Sequence, residues 1–506
     1  MKTTLQVTKN GKSFSFPAET GESILAVLRR EGVFIPAFCG GNKLCGKCKV
    51  TATGSLSEYG AEELSLLSAA ERAAGIRLAC VATLTGEAFV SIPSDGAYSV
   101  LTDLGDGASD EHPSCWEGLG AAIDLGTTTV ALYVYSLETR KRVGVISDKN
   151  RQQLIGADVI SRIEYAIASP ENLEEARRLI VSQFNDMFAE LSRKRGFELK
   201  RIRSVAVSGN TAMLYLLSGL SPKSISAAPF KSENLFGGFA KATDMGINLP
   251  EANVFLLPCI SAFVGGDITS GILSSGLYET DKNILFIDFG TNGEIVLATG
   301  GKLSCCSTAA GPAFEAAKIS CGVGGVVGAI NRVSLTEGEL SLETIGDGKP
   351  IGLAGSGLID AVAALIELGA VEDTGYMEEA FTLAEGVELQ PADIRELQLA
   401  KAAVRAGAET LLAEAEISPS ELDCVYLTGG FGAGLNVANA LKLGLLPEVS
   451  PEKVRVLGNC SGAGAVKALL EPEAYGVLRS IAVKAKTIPL DGNPGFTDRF
   501  MEYMTF

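Results

Sequence analysis

Short apolar runs that end in glycine and small polar residues recur along this chain and set its expected strands. Residues 5–7 and 13–16 alternate apolar with polar around Asn10-Gly11, the signature of a tight hairpin. Residues 23–30 predict a short helix that Gly32 stops. Residues 49–52 predict a strand, 61–74 a helix, and 77–84 a strand carrying Cys80. That order, with a cysteine-bearing loop after the first helix, predicts a small mixed sheet grasping a helix.

A second pattern starts at residue 121. Ala121-Ala122-Ile123 leads into Asp124-Leu125-Gly126-Thr127-Thr128-Thr129, and a second apolar run follows over 130–134. This predicts a hairpin whose tip offers backbone amides and hydroxyls to a polyphosphate, with a carboxylate beside them for a metal. The stretch 156–161 leads into a helix, and Ser169-Pro170-Glu171 starts another with a cap, a proline and an acid in its first turn. Leu173, Ala176, Ile180, Phe184, Met187 and Leu191 recur on one face of it, and Gly196 ends it. A buried strand at 204–207 runs into Ser208-Gly209-Asn210-Thr211, where a helix starts: a candidate phosphate or metal contact.

The opening device then repeats. A strand over 283–287 delivers Asp288-Phe289-Gly290-Thr291-Asn292-Gly293-Glu294, and apolar residues 295–298 follow. A separation of 164 positions between Asp124 and Asp288 suits two duplicated lobes rather than a solenoid. Two further glycine turns complete the set. Thr428-Gly429-Gly430 closes a strand, and Gly355-Ser356-Gly357 opens a helix that carries Asp360. The helix over 393–412 is expected to place Lys401 and Arg405 on solvated surface, with a nucleotide contact as the alternative. Residues 458–464 are expected to lead into a final packing helix.

Composition narrows the chemistry. The 506 residues predict two to four domains, and 46% hydrophobic residues suit a globular chain with an ample core. A net charge of −17 argues against nucleic acid and anionic membrane as partners. Residues 1–13 carry no apolar leader and no run reaches the ~18 residues of a membrane span, so a cytoplasmic protein is expected. His112 is the sole histidine, which excludes histidine-rich metal sites and Ser-His-Asp triads.

Cys39, Cys45 and Cys48 follow a C-x5-C-x2-C spacing, and 31 residues separate Cys48 from Cys80. Four thiolates from a glycine-rich loop and one distant position suit an iron–sulfur cluster or a structural zinc. Residues 1–92 resemble a 2Fe–2S ferredoxin domain of the adrenodoxin-like branch. The resemblance implies that these four cysteines hold the cluster. Residues 93–119 are acidic, without lysine or arginine, and predict a flexible linker.

From residue 120 the paired Asp-x-Gly-Thr hairpins and the double-glycine turn resemble the superfamily of actin, sugar kinases and heat-shock ATPases. The expected architecture is a β-grasp (α+β) ferredoxin domain followed by a two-lobed α/β ATPase. Its first lobe covers 120–275 and its second 276–506, with a C-terminal return to the first. The resemblance implies ATP in the interlobe cleft, with Asp124 and Asp288 flanking Mg²⁺ and Glu294 as a further metal or water contact. Gly126, Thr127, Thr128, Thr129, Gly209, Asn210, Gly290, Thr291, Asn292, Gly355 and Ser356 would then line the nucleotide, with Gly429 and Gly430 beside the adenosine. A ferredoxin fused to such an ATPase resembles the reductive activators of corrinoid proteins. That family implies transfer of one electron to the Co(II) cobamide of a methyltransferase partner, a corrinoid protein, with an electron donor upstream and a homodimer as one option for assembly. The alternatives are a small-molecule kinase and an ATP-dependent activator of a radical dehydratase. Cys305, Cys306, Cys321 and Cys460 leave the last conceivable, although their spacing reads as small buried residues.

Overall fold

The computed structural model describes the chain apart from residues 1, 10, 34, 36, 38–40, 42, 44–45, 93–117, 291, 317 and 433. The expected linker, His112, Cys39, Cys45 and Thr291 therefore lie wholly or largely outside the described residues. Packing divides the chain into two units. One comprises Met1–Gly96, Lys149–Gln183 and Tyr215–Ala227; the other comprises Ala97–Asp148, Phe184–Leu214 and Ala228–Phe506.

The first unit opens with the expected hairpin, β1 (Lys2–Lys9) and β2 (Lys12–Glu19), in register Leu5 to Phe16. The strands β3 (Lys49–Leu56), β4 (Ile76–Leu78) and β5 (Leu84–Ile92) complete a sheet of order β2-β1-β5-β3-β4, in which β1 and β5 run parallel. Alternation puts Leu5, Val7, Val50 and Val90 on one face, against Ile24, Val27 and Leu28 of the helix Ile24–Arg30. Ser23 caps that helix by accepting the Ala26 N–H at 3.1 Å.

Two local expectations are corrected here. The helix read over 61–74 is two, Ala61–Leu66 and Ala69–Ala73, because Ser68 starts a new capping box with Glu71. Cys80 follows β4 in a turn rather than sitting on a strand. A buried ion pair fixes that turn: Arg77 donates to Glu63 at 2.9 and 2.8 Å, and Glu63 also accepts the Leu78 N–H at 2.8 Å. Removing either partner would strand a buried charge, at a cost of about 3–5 kcal/mol.

In the second unit, two sheets repeat one plan. The first uses β6 (Leu119–Leu125), β7 (Thr129–Ser136), β8 (Arg142–Lys149), β9 (Ile202–Gly209), β10 (Phe239–Lys241) and β11 (Asn253–Leu256), in the order β10-β11-β9-β6-β7-β8. Then come β12 (Ile284–Phe289), β13 (Gly293–Thr299) and β14 (Lys302–Thr308). Smaller ladders follow, from β15 (Ala329–Thr336), β16 (Glu339–Thr344), β17 (Gly352–Leu353), β18 (Phe381–Ala384) and β19 (Val387–Leu389). With β20 (Cys424–Thr428), β21 (Val454–Gly458) and β22 (Lys486–Thr487), the second large sheet has the order β21-β20-β12-β13-β14-β22.

In each sheet an antiparallel hairpin, β6-β7 or β12-β13, is flanked on its first strand by two successive parallel strands. The register is equivalent too. Asp124 stands opposite Ser208, and Asp288 opposite Thr428.

The strand β12 has period 2: Leu285 and Ile287 join one core, Ile284 and Phe286 another. The first core holds the helices Gly355–Glu367 and Pro391–Glu414. The second holds the helices Gly266–Ser275 and Cys460–Leu470, with Ala122, Ala131 and Ala206 of the first sheet. Cys460–Leu470 is not the final helix; Ala474–Lys484 and Pro494–Glu502 follow it.

Candidate nucleotide and cluster sites

Each duplicated hairpin ends in a glycine-bearing turn, and in the first the glycine is required. The Gly126 N–H donates to the Thr129 carbonyl at 3.0 Å, and a Cβ on Gly126 would stand 2.7 Å from that oxygen. The Gly290 N–H donates likewise to the Asn292 carbonyl at 3.0 Å. Asn210 donates to the Thr127 hydroxyl at 3.0 Å, and Gly209 packs where a Cβ would meet the Leu125 carbonyl at 2.8 Å. Asn210 and Gly209 thus brace the first tip. Gly429, at φ 88°, crosses so close that a Cβ would lie 2.4 Å from the Phe289 carbonyl and 2.7 Å from Asp288 Oδ1. A Cβ on Gly430 would meet no described atom within 4 Å, so a flat ligand can approach its backbone. Gly355 is needed for packing, since its Cβ would collide with the Phe314 carbonyl at 1.8 Å. Ser356 donates its hydroxyl to the Asn331 carbonyl at 3.0 Å.

The two hairpin carboxylates do not act alone. Asp124, Asp288 and Glu294 are half-buried; Asp288 feels Asp124 and Asp267, and Glu294 feels Asp288 and Asp267, which lies at the start of the helix Gly266–Ser275. Burial raises the Asp288 carboxyl to about 8, and the charges of Asp267 and Asp124 push the same way. Burial and then the Asp124 charge raise Asp267 to about 7. Glu294 is also pushed far up, mainly by burial and then by Asp267 and Asp288, although Ser307 donates to it at 3.2 Å. Asp124 is raised by burial and partly restored by donors from Ser461 at 2.7 Å and Asn459 at 2.8 Å.

Four like-charged groups around one recess suit a divalent cation, which would return them to the ionised form. Among the described residues no three of His, Cys, Asp and Glu converge on one ion. Mg²⁺ keeps most of its waters and takes one or two carboxylates plus phosphate oxygens.

Sequence reasoning missed Asp267, Asn459 and Ser461. Asp267 had a signal, since Val264-Gly265-Gly266-Asp267 is another apolar run ending in glycines and an acid. The expectation for Lys401 and Arg405 is overturned. Both are buried, and Lys401 donates to the carbonyls of Tyr503 at 2.9 Å and Thr505 at 2.5 Å. Arg405 donates to Glu409 at 2.9 Å and lies over the Tyr503 ring. They tie down the C-terminus.

In the first unit, Cys48 and Cys80 are buried with their sulfurs 3.3 Å apart, well beyond the ~2.05 Å of a disulfide. The pairing of β3 with β4 and an Ala79 N–H donated to the Cys48 carbonyl at 2.9 Å bring them together. The hydrogen bond between Cys48 and Cys80 brings the Cys48 thiol down to about 7 against the opposing effect of burial. Two adjacent sulfurs, one thiolate-prone, fit a shared metal. Cys305, Cys306 and Cys460 are buried, and burial raises each thiol, which suits inert core residues.

Comparison with known proteins matches three successive stretches of the chain. Residues 7–85 match the 2Fe–2S iron–sulfur cluster binding domain, 119–280 the RACo middle region, and 282–506 the C-terminal domain of RACo, the ASKHA domain. The corrinoid activation enzyme RamQ of Eubacterium limosum is 33% identical over 419 residues, 76% of this chain and 69% of that protein. The [Co(II) methylated amine-specific corrinoid protein] reductase of Methanosarcina barkeri is 26% identical over 398 residues, 72% of each chain. A solved reductive activator for corrinoid, iron–sulfur protein superposes with a TM-score of 0.72 at 29% identity, covering 99% of this chain and 98% of that one. Cysteine domain, duplicated ATPase sheets and relatives all point one way, and the chain belongs to the family of reductive activators of corrinoid proteins.

Proposed function

We propose that this chain uses ATP to return the cobamide of a methyltransferase's corrinoid protein from Co(II) to Co(I). One electron passes from an external donor through the N-terminal cysteine site, and ATP is hydrolysed to ADP and phosphate. The observation that carries the reading is that one chain holds both a thiol pair, Cys48 and Cys80, and a four-carboxylate recess beside two glycine hairpins. A kinase needs only the recess, and a simple electron carrier only the thiols. The names of the relatives, which specify corrinoid activation and reduction of a Co(II) corrinoid protein, support the same reading.

Cys39, Cys45, Cys48 and Cys80 would hold a 2Fe–2S cluster, which when bound supplies a one-electron carrier near about −400 mV. Raising an electron by a further ~100 mV costs about 2.3 kcal/mol. Differential affinity for a partner in two ATPase conformations can supply that much. Asp124 and Asp288 would orient Mg²⁺ and its waters, and Glu294 would hold one of those waters. Thr127, Thr128 and Thr129, with the Gly126 and Gly290 turns, would grip the phosphates, and Gly429 and Gly430 would border the adenosine. Among the described residues no helix is long and apolar enough to cross a membrane, in keeping with a cytoplasmic setting.

The test is conversion of Co(II) to Co(I), followed by visible absorbance with reductant and a corrinoid protein present. ATP is expected to raise its rate or extent. Equal conversion with and without ATP would sink the coupling.

A further inference from the structure

The short loop that joins β21 to the helix Cys460–Leu470 lies between the two halves of the nucleotide site, and nearly every polar group in it has a job. At one end Thr428, the residue before Gly429-Gly430, donates its hydroxyl to the Gly458 carbonyl at 2.7 Å and accepts the Cys460 N–H at 3.3 Å. At the other end both oxygens of Asp124 are held: Oδ2 by the Asn459 amide at 2.8 Å, Oδ1 by the Ser461 hydroxyl at 2.7 Å. Ser461 is itself fixed. Its oxygen lies 2.8 Å from the Ser208 hydroxyl, and its carbonyl accepts from Ser270 at 2.6 Å. Asn459 works in both directions, because its side-chain oxygen caps the following helix by accepting the Gly462 N–H at 2.8 Å.

Asp124 belongs to the first sheet and Thr428 to the second, opposite Asp288. The backbone of residues 458–461, hydrogen-bonded to Thr428 at one end and through the Asn459 and Ser461 side chains to Asp124 at the other, therefore links the turn beside Gly429 to the carboxylate of the other hairpin. We infer that residues 458–461 form the joint coupling occupancy of the Gly429-Gly430 turn to the aim of the Asp124 carboxylate, with Asn459 and Ser461 as its positioning residues. This rests on the ATP reading above. Without its two donors that carboxylate would lose the contacts that fix its aim. Moving the glycine turn onto a base moves Thr428, and Thr428 carries the loop that aims Asp124.

The double role of Asn459 permits a clean test on the full-length chain. Asn459→Asp keeps an acceptor for the helix cap, where an anion is welcome, but replaces the donor facing Asp124 with a second anion. We expect kcat for MgATP hydrolysis to fall about tenfold to a hundredfold, while Tm and the Kd for ADP stay within threefold and a few degrees of wild type. Ser461→Ala should repeat the loss, and Ser461→Thr, which keeps the hydroxyl, should recover most of it. Thr428→Val cuts the chain at its far end, so its effect on kcat should be less than additive with Asn459→Asp. Hydrolysis within twofold of wild type in both Asn459→Asp and Ser461→Ala, or strict additivity in the double variant, would overturn the inference alone. Absence of ATP binding and hydrolysis by the wild-type chain would instead overturn the nucleotide reading, and this inference with it.

Discussion

The Thr128 hydroxyl donates to the Glu315 carboxylate at 3.2 Å, joining the first hairpin tip to the segment after β14 across 187 positions of sequence. Glu315 is held from both sides. The Phe314 ring stacks on Phe431 at 4.9 Å, and Ala316 adopts a positive φ of 57°. A γ-phosphate seated on the tip would need the same hydroxyl and would face a fixed negative charge. Glu315→Gln should therefore lower the KM for MgATP about two- to tenfold, the effect of relieving one like-charge contact of ~0.5–1.5 kcal/mol. An unchanged or raised KM in steady-state hydrolysis would mean that Glu315 assists ATP rather than competing with it.

The cysteine site and the carboxylate recess should fail separately. Asp288→Asn keeps the shape of the β12 turn but removes one charge from the metal surroundings, and we predict at least a hundredfold loss of ATP hydrolysis with an intact visible cluster spectrum. Cys80→Ala removes one of the two adjacent thiols and should abolish that spectrum and Co(II) reduction while leaving ATP binding. A cluster spectrum lost in Asp288→Asn would show that the two sites depend on each other for folding.

Asp267 near 7 and Asp288 near 8 also imply a pH dependence. Both lie above their ordinary value of 3.8, so over the intervening range the folded chain holds protons that the unfolded chain has released. The stabilising contribution is full below 3.8 and is lost as pH rises through about 7 to 8. Solvent reaching the half-buried recess screens part of it. In EDTA, the Tm of the nucleotide-free chain should fall by about 2–4 °C between pH 6 and 8.5. Excess Mg²⁺, which binds the ionised carboxylates, should flatten the curve, and so should Asp288→Asn. A slope that neither treatment alters would place its origin elsewhere.

Local patterns made the duplicated hairpins readable. The apolar runs of β6 and β12, an Asp-x-Gly-Thr at the end of each and the spacing of the cysteines are all properties of short stretches. The groups that complete the site come from afar. Ser461 reaches Asp124 across 337 positions, and nothing in its own stretch, Asn459-Cys460-Ser461-Gly462, marks it as more than a helix start. The same limit explains the error at Lys401. A lysine reads as surface because its charge needs partners, and here the partners are carbonyls about a hundred residues later.

Lys401 yields the last prediction. Its ammonium donates to the Tyr503 and Thr505 carbonyls and lies 5.1 Å above the Phe506 ring, while the Phe506 N–H donates to the Asp373 carbonyl at 2.8 Å. Together these hold the chain end after the helix Pro494–Glu502 against the helix Pro391–Glu414. Lys401→Ala removes two charge-assisted hydrogen bonds and leaves two carbonyls to find new donors, a cost of about 2–4 kcal/mol. That sum falls on one attachment, so local release should precede global unfolding. Limited proteolysis should cut first within residues 485–506, at a rate at least tenfold above wild type. The KM for MgATP should move less than threefold, because Lys401 serves the C-terminus and not the nucleotide. Unchanged cleavage with a weakened KM would reverse that assignment and return Lys401 to the nucleotide site.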